Sequence, residues 1–160
     1  MDAQLAAADI PPVPGTYALL LRCFEAQPAP VRRLGVQPLA PGWYVYVGSA
    51  FGPGGLRGRL KHHLAPAARR HWHIDALKAA APLQAAWITC DARRLEHAWT
   101  HACLRLPGVT VPWPRFGASD CRCPAHLFRW PARPRLADFA AALALDIPVD
   151  ADCPAHEYAV

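Results

Sequence analysis

Residues 43–64, WYVYVGSAFGPGGLRGRLKHHL, join an apolar strand to a glycine-rich turn and then to a basic helix. That junction restricts the folds open to this chain more than any other stretch. A strand is expected over residues 43–47, ended by Gly48. Its alternation sends Trp43, Val45 and Val47 to one face and Tyr44 and Tyr46 to the other. Residues 49–55 hold three glycines and a proline, a loop whose N–H groups can approach an anion closely. Residues 56–64 read as a helix with Arg59 and His63 four apart on one face and Leu56, Leu60 and Leu64 as the opposing apolar stripe. With Arg57, Lys61 and His62 beside them, this polar face suits a phosphodiester.

The remainder reads as support for that unit within a single α+β domain. Residues 1–14 are expected to be a flexible arm, 15–145 the domain with its C-terminal helix, and 146–160 a polar tail. Apolar runs predict strands at 15–23, 31–36, 83–90 and 127–130. Helices are expected at about 72–80, stopped by Pro82, at 92–106 with Asp91 as N-cap, and at 136–145. Residues 107–115 contain three prolines and read as loop. The expected architecture is a small, mainly antiparallel or mixed sheet of three to four strands flanked by helices.

A formal charge of +5, carried by 15 arginines and the two lysines Lys61 and Lys78, favours a phosphate-bearing partner, because guanidinium groups bind phosphate through two parallel hydrogen bonds. The arginine, alanine and proline bias of a GC-rich genome produces the same composition. The start of the chain lacks the charged and apolar parts of a secretory signal, and no window approaches the roughly 20 apolar residues of a membrane span. A cytoplasmic protein without a membrane partner is expected, its six cysteines reduced.

The order Gly15-Thr16-Tyr17, then Tyr46-Val47-Gly48, then Arg59 eleven residues after that glycine, His63 four further on and Glu96 on a later helix resembles the GIY-YIG nucleases. With the stretches HWHID and SDCRCPAH, the chain looks most like a branch of that family that also occurs fused to endonuclease III-type glycosylases. The resemblance covers residues 15–130. It implies hydrolysis of one DNA strand with a single Mg²⁺ or Mn²⁺, at a structured or damaged site, with a DNA-repair protein as a possible partner. Carried over by position, Glu96 holds the metal, Tyr46 helps activate water, Tyr17 orients, and Arg59 stabilises charge, with His63 beside them. These five are expected to converge in one exposed site, and Arg57, Lys61, Arg69 and Arg70 to form a basic rim for DNA. The family's asparagine after the glutamate helix has no counterpart here, and Ser119 or Asp120 is the nearest polar replacement.

Two further clusters carry ligand chemistry. His71, Trp72, His73 and Asp75 repeat the His-x-His-x-Asp of some metallohydrolases, or place His71 and Asp75 one helical turn apart as a simple pair. Cys121, Cys123 and His126 offer thiolate and imidazole ligands suited to zinc, against a folded turn with buried thiols. Cys153 and His156 read as incidental. Two alternatives stand beside the nuclease: a nucleic-acid-binding module without catalysis, and a zinc-stabilised interaction domain.

Overall fold

The computed structural model describes residues 9–31, 33–65 and 73–160. It is an α+β domain in the order β1 (Thr16–Cys23), β2 (Gln27–Val31), β3 (Gly35–Leu39), β4 (Gly42–Ser49), α1 (Gly55–Leu64), α2 (His73–Leu77), β5 (Leu83–Thr89), α3 (Glu96–Arg105), β6 (Leu127–Trp130), α4 (Leu136–Ala144) and β7 (His156–Ala159). Five strands form one sheet, β6-β4-β1-β5-β7, antiparallel throughout. β2 and β3 form a separate hairpin.

β1 is central because its run TYALLLRC can bury both faces. Tyr17, Leu19 and Leu21 enter one core with Tyr44, Leu56, Leu60, Ile74 and Leu77. Ala18 and Leu20 enter the other with Val45, Val47, Trp87, Trp99 and Phe139. α1, α2 and the hairpin therefore cover the tyrosine face, and α3 and α4 cover the opposite one. Phe139 anchors that second layer, with the rings of Trp87 and Trp99 each 4.9 Å from its own. No helix among the described residues is long and apolar enough to cross a membrane.

Five expectations are corrected. Residues 31–36 are not one strand: β2 ends at Val31 and β3 begins at Gly35, Leu34 N–H donates to the Val31 carbonyl at 2.9 Å, and Arg33 and Gly35 take φ of 71° and 73°. Prolines 28, 30 and 38 hid the flanking strands, yet an isolated two-stranded ladder has outer edges where a missing N–H is harmless. Asp91 does not cap α3. Its carboxylate accepts from the Arg93 backbone N–H at 2.9 Å and from the Arg93 guanidinium, closing a turn before a helix that begins at Glu96. The tail is structured, since β7 pairs with β5 and Glu157 accepts from the Trp87 indole at 2.8 Å. Cys153 is not incidental either: its sulfur lies 3.2 Å from that of Cys90 and its carbonyl accepts from the Thr89 hydroxyl. Finally, part of the expected arm is docked. Ile10 is fully buried, and the Val13 carbonyl accepts from Leu56 N–H at 2.9 Å. Residues 1–8 lie outside the described residues.

Candidate active site

The register of β1 against β4 sets Tyr17 opposite Gly48 and Leu19 opposite Tyr46, so both phenols rise from the same face of neighbouring strands. The Tyr17 ring crosses over Gly48: a Cβ there would meet the Tyr17 hydroxyl at 2.4 Å and Cζ at 2.5 Å. Gly48 thus makes room for the phenol rather than ending the strand, which continues to Ser49. Tyr46 stands edge-on to Phe116, with ring centroids 6.2 Å apart, and lies against Gly117, whose φ is 72°.

α1 brings the next two groups. Residues seven apart on a helix differ by only roughly 20° in direction, so His63 falls on the same face as Leu56 and is buried with Leu56 and Leu60. The expectation that His63 opposes the leucine stripe is therefore wrong; Arg59, half-buried, flanks the stripe. His63 Nε2 lies 2.9 Å from the Tyr17 hydroxyl, and its Nδ1 faces Asp75 Oδ1 at 3.7 Å. A carboxylate on the Nδ1 side favours hydrogen there, leaving Nε2 to accept from Tyr17. Asp75 is itself buried and held by His62 and Lys78, both at 3.2 Å. Lys78 also donates to the His63 carbonyl at 2.7 Å.

Burial lowers the His63 imidazole from 6.5 to about 4, with Asp75 opposing and Lys78 assisting. Burial pushes the Asp75 carboxyl up, but hydrogen bonds from His62 and Lys78 outweigh it and leave it below its ordinary value. Between pH 6.5 and about 4 the unfolded chain thus takes up a proton at residue 63 that the folded chain refuses. Protonation then favours unfolding, and the native pairing of Asp75 is lost in the same direction as its carboxyl titrates. Thermal melts should show Tm falling as pH drops through this window. His63→Gln should shrink the fall without removing it, because His126 is also held low, by burial against an opposing Glu96.

Although the apolar side of α3 packs on the far face of the sheet, its first residue acts on the tyrosine site. Pairing of β6 with β4 stops at Leu127 opposite Tyr46, and the His126 carbonyl accepts from Val47 N–H at 2.9 Å just beyond it. Glu96 Oε1 lies 3.8 Å from His126 Nε2, with the Glu96 side chain 30 % exposed. Burial, followed by the Glu96 carboxylate, pushes the Tyr46 phenol up to about 12 against the pull of Arg59. Burial and then Tyr46 hold the Tyr17 phenol well above its ordinary value, again against Arg59, with Glu96 a further cause. Tyr46, Arg59 and Glu96 thus all act on Tyr17, which His63 holds by its hydroxyl. Exposure is uneven, however: Tyr17 and His63 are each 3 % exposed, and Tyr46, Arg59 and Glu96 are half-buried, so the expected exposed site is open only in part, at its outer members. Asp120 acts on both Tyr46 and His126.

Of the expected basic rim, Arg57 and Lys61 are exposed, and Arg57 Nε donates to the Ile10 carbonyl at 2.7 Å. Arg69, Arg70, His71 and Trp72 lie outside the described residues, as does the side chain of His73. Among the described residues, one group of three His, Cys, Asp or Glu side chains is close enough to share a metal ion: His97, Cys121 and Cys123, with ligand atoms all within 4.8 Å. His126 is not in that set. Its Nδ1 is paired with Thr100 Oγ1 at 3.0 Å and its Nε2 with Cys121 Sγ at 3.2 Å. Nothing in the helical pattern singles out His97, because its partners come from a distant loop.

The family model described as domain of unknown function DUF123 matches residues 16–147. No curated protein and no solved structure gives a significant match. The matched range begins with β1 and runs past α4, taking in Tyr17, Tyr46, Arg59, His63 and Glu96. The chain belongs to the DUF123 family.

Proposed function

We propose that this protein is a GIY-YIG-type endonuclease that hydrolyses a DNA phosphodiester with one divalent metal ion, at a structured or damaged site. The observation that carries the reading is that a second phenol, a guanidinium, an imidazole and a carboxylate from β4, α1 and α3 all bear on Tyr17 of β1. Glu96 fits Mg²⁺ or Mn²⁺, since its partly exposed carboxylate offers hard oxygen and such ions need only one or two carboxylates besides phosphate and water. When bound, the ion supplies a more acidic water and draws charge from the phosphate oxygens.

The chain's own groups divide the remaining work. Arg59, on the flank of α1, neutralises charge that develops on the phosphate. Tyr46, pushed up to about 12, is a hydrogen-bond donor at neutral pH. Neutralising Glu96 removes the second largest cause of that rise and leaves Arg59 to pull the phenol back toward the range where it can take a proton. Tyr17, clasped by a neutral His63, holds its hydroxyl in one orientation and shields the inner wall from water. Arg57 and Lys61, with Arg69 and Arg70 from the adjoining segment, supply the phosphate contacts that carry no sequence information.

The test is cleavage of flap, fork, nicked and duplex DNA across Mg²⁺, Mn²⁺ and Ca²⁺, with binding measured in parallel. Nicking of at least one structured substrate is expected. DNA affinity should fall steeply between about 50 and 200 mM salt as phosphate counterions are released. A folded protein that binds but cuts none of these substrates would replace the nuclease with a binding module.

A further inference from the structure

We propose that His97, Cys121 and Cys123 form a zinc site that clamps the 113–126 loop to the first turn of α3. Their ligand atoms lie within 4.8 Å of one another. Tetrahedral zinc with bonds of roughly 2.0 to 2.3 Å needs ligands roughly 3.3 to 3.8 Å apart, so the set closes on an ion by about an ångström of side-chain movement. Two sulfurs and an imidazole select a thiophilic ion over Mg²⁺. Access is open, since His97 is exposed and Cys121 half-buried.

The loop is built to hold the sulfurs in place. Arg115 donates from its two terminal nitrogens to the carbonyls of Cys121 and Cys123, at 2.5 and 2.6 Å, and fixes the orientation of both cysteines at once. His126 supports the Cys121 sulfur from 3.2 Å and is itself held by Thr100. Standing outside the close set, it orients the thiolate rather than binding the ion, and water takes the fourth position. At the other end of the clamp, α3 starts at Glu96 behind Leu95, with no side-chain cap hydrogen bond among the described residues. A metal bond to His97 secures the turn that an ordinary cap would secure. Because Glu96 is the adjacent residue, the clamp also steadies the carboxylate of the proposed nuclease site.

The 160-residue chain purified under reducing conditions without chelator should carry about one zinc per chain by mass spectrometric metal analysis. Replacement by Co²⁺ should give the intense visible bands of a tetrahedral site and a thiolate charge-transfer band in the near ultraviolet. His97→Ala, at an exposed position where folding is least at risk, and Cys121→Ser should lose at least about nine-tenths of the metal. His126→Gln and Cys90→Ser should keep the charge-transfer band, the latter excluding the Cys90–Cys153 pair as its source. A wild type that takes up neither ion would overturn the site. So would a His97→Ala variant that keeps the band while His126→Gln loses it. The measurement contains no DNA, so its outcome is separate from that of the nuclease reading.

Discussion

Glu96→Gln should abolish metal-dependent cleavage, a loss of more than about 10³-fold, while changing DNA affinity little. The amide keeps the size of the side chain and removes the charge that holds the ion. The position tolerates it, because the Glu96 side chain is 30 % exposed and the neighbouring His126, held neutral by burial, is 3.8 Å away. The same change removes a cause that raises both phenols, so Tyr46 should titrate at lower pH in the variant than in the metal-free wild type. Ultraviolet difference titration of the phenols reads that shift independently of activity. Cleavage by Glu96→Gln at the wild-type rate would end the one-metal reading, whereas loss of cleavage together with loss of binding would mean that the substitution damaged the DNA surface instead.

Arg59→Ala should slow cleavage by about 10² to 10³, the usual loss when one electrostatic stabiliser of a transition state is removed, and should weaken binding to a smaller degree. Arg59 is the group that opposes the upward shift of both Tyr17 and Tyr46, so its removal should move both phenols further up. That distinguishes it from Arg57, which is exposed and tied to Ile10. Arg57→Ala should lower binding and leave the rate at saturating DNA nearly unchanged. Single-turnover cleavage separates the two. Equal rate losses for Arg57→Ala and Arg59→Ala would show that Arg59 serves binding alone.

The strands and helices that carry the site were legible because their patterns are strong. TYALLLRC can only be an interior strand, and the alternation of WYVYV assigns Tyr46 and Val47 to opposite faces, as the two cores confirm. Less was legible where local chemistry pointed one way and tertiary contacts another. The prolines of β2 and β3 spoke against strands, but among the described residues that ladder has no third neighbour needing their N–H groups. Asp91 looked like an N-cap and instead folds back on Arg93. A polar tail became β7 because β5 otherwise presents an unpaired edge.

What the sequence alone determined is the set of chemical groups and the strand and helix on which each one rides, since periods of 2 and 3.6 follow from backbone geometry whatever the rest of the chain does. Only the tertiary structure decided which groups meet. His63 is turned inward onto Tyr17 because α1 lies flat on the tyrosine face. Glu96 acts on that face from a helix packed on the other one, next to His126, where β6 has not yet begun to pair with β4. His97 meets Cys121 and Cys123 because Arg115 ties a distant loop into one conformation beside α3. Each of these depends on contacts between residues far apart in the chain, and no local pattern records them.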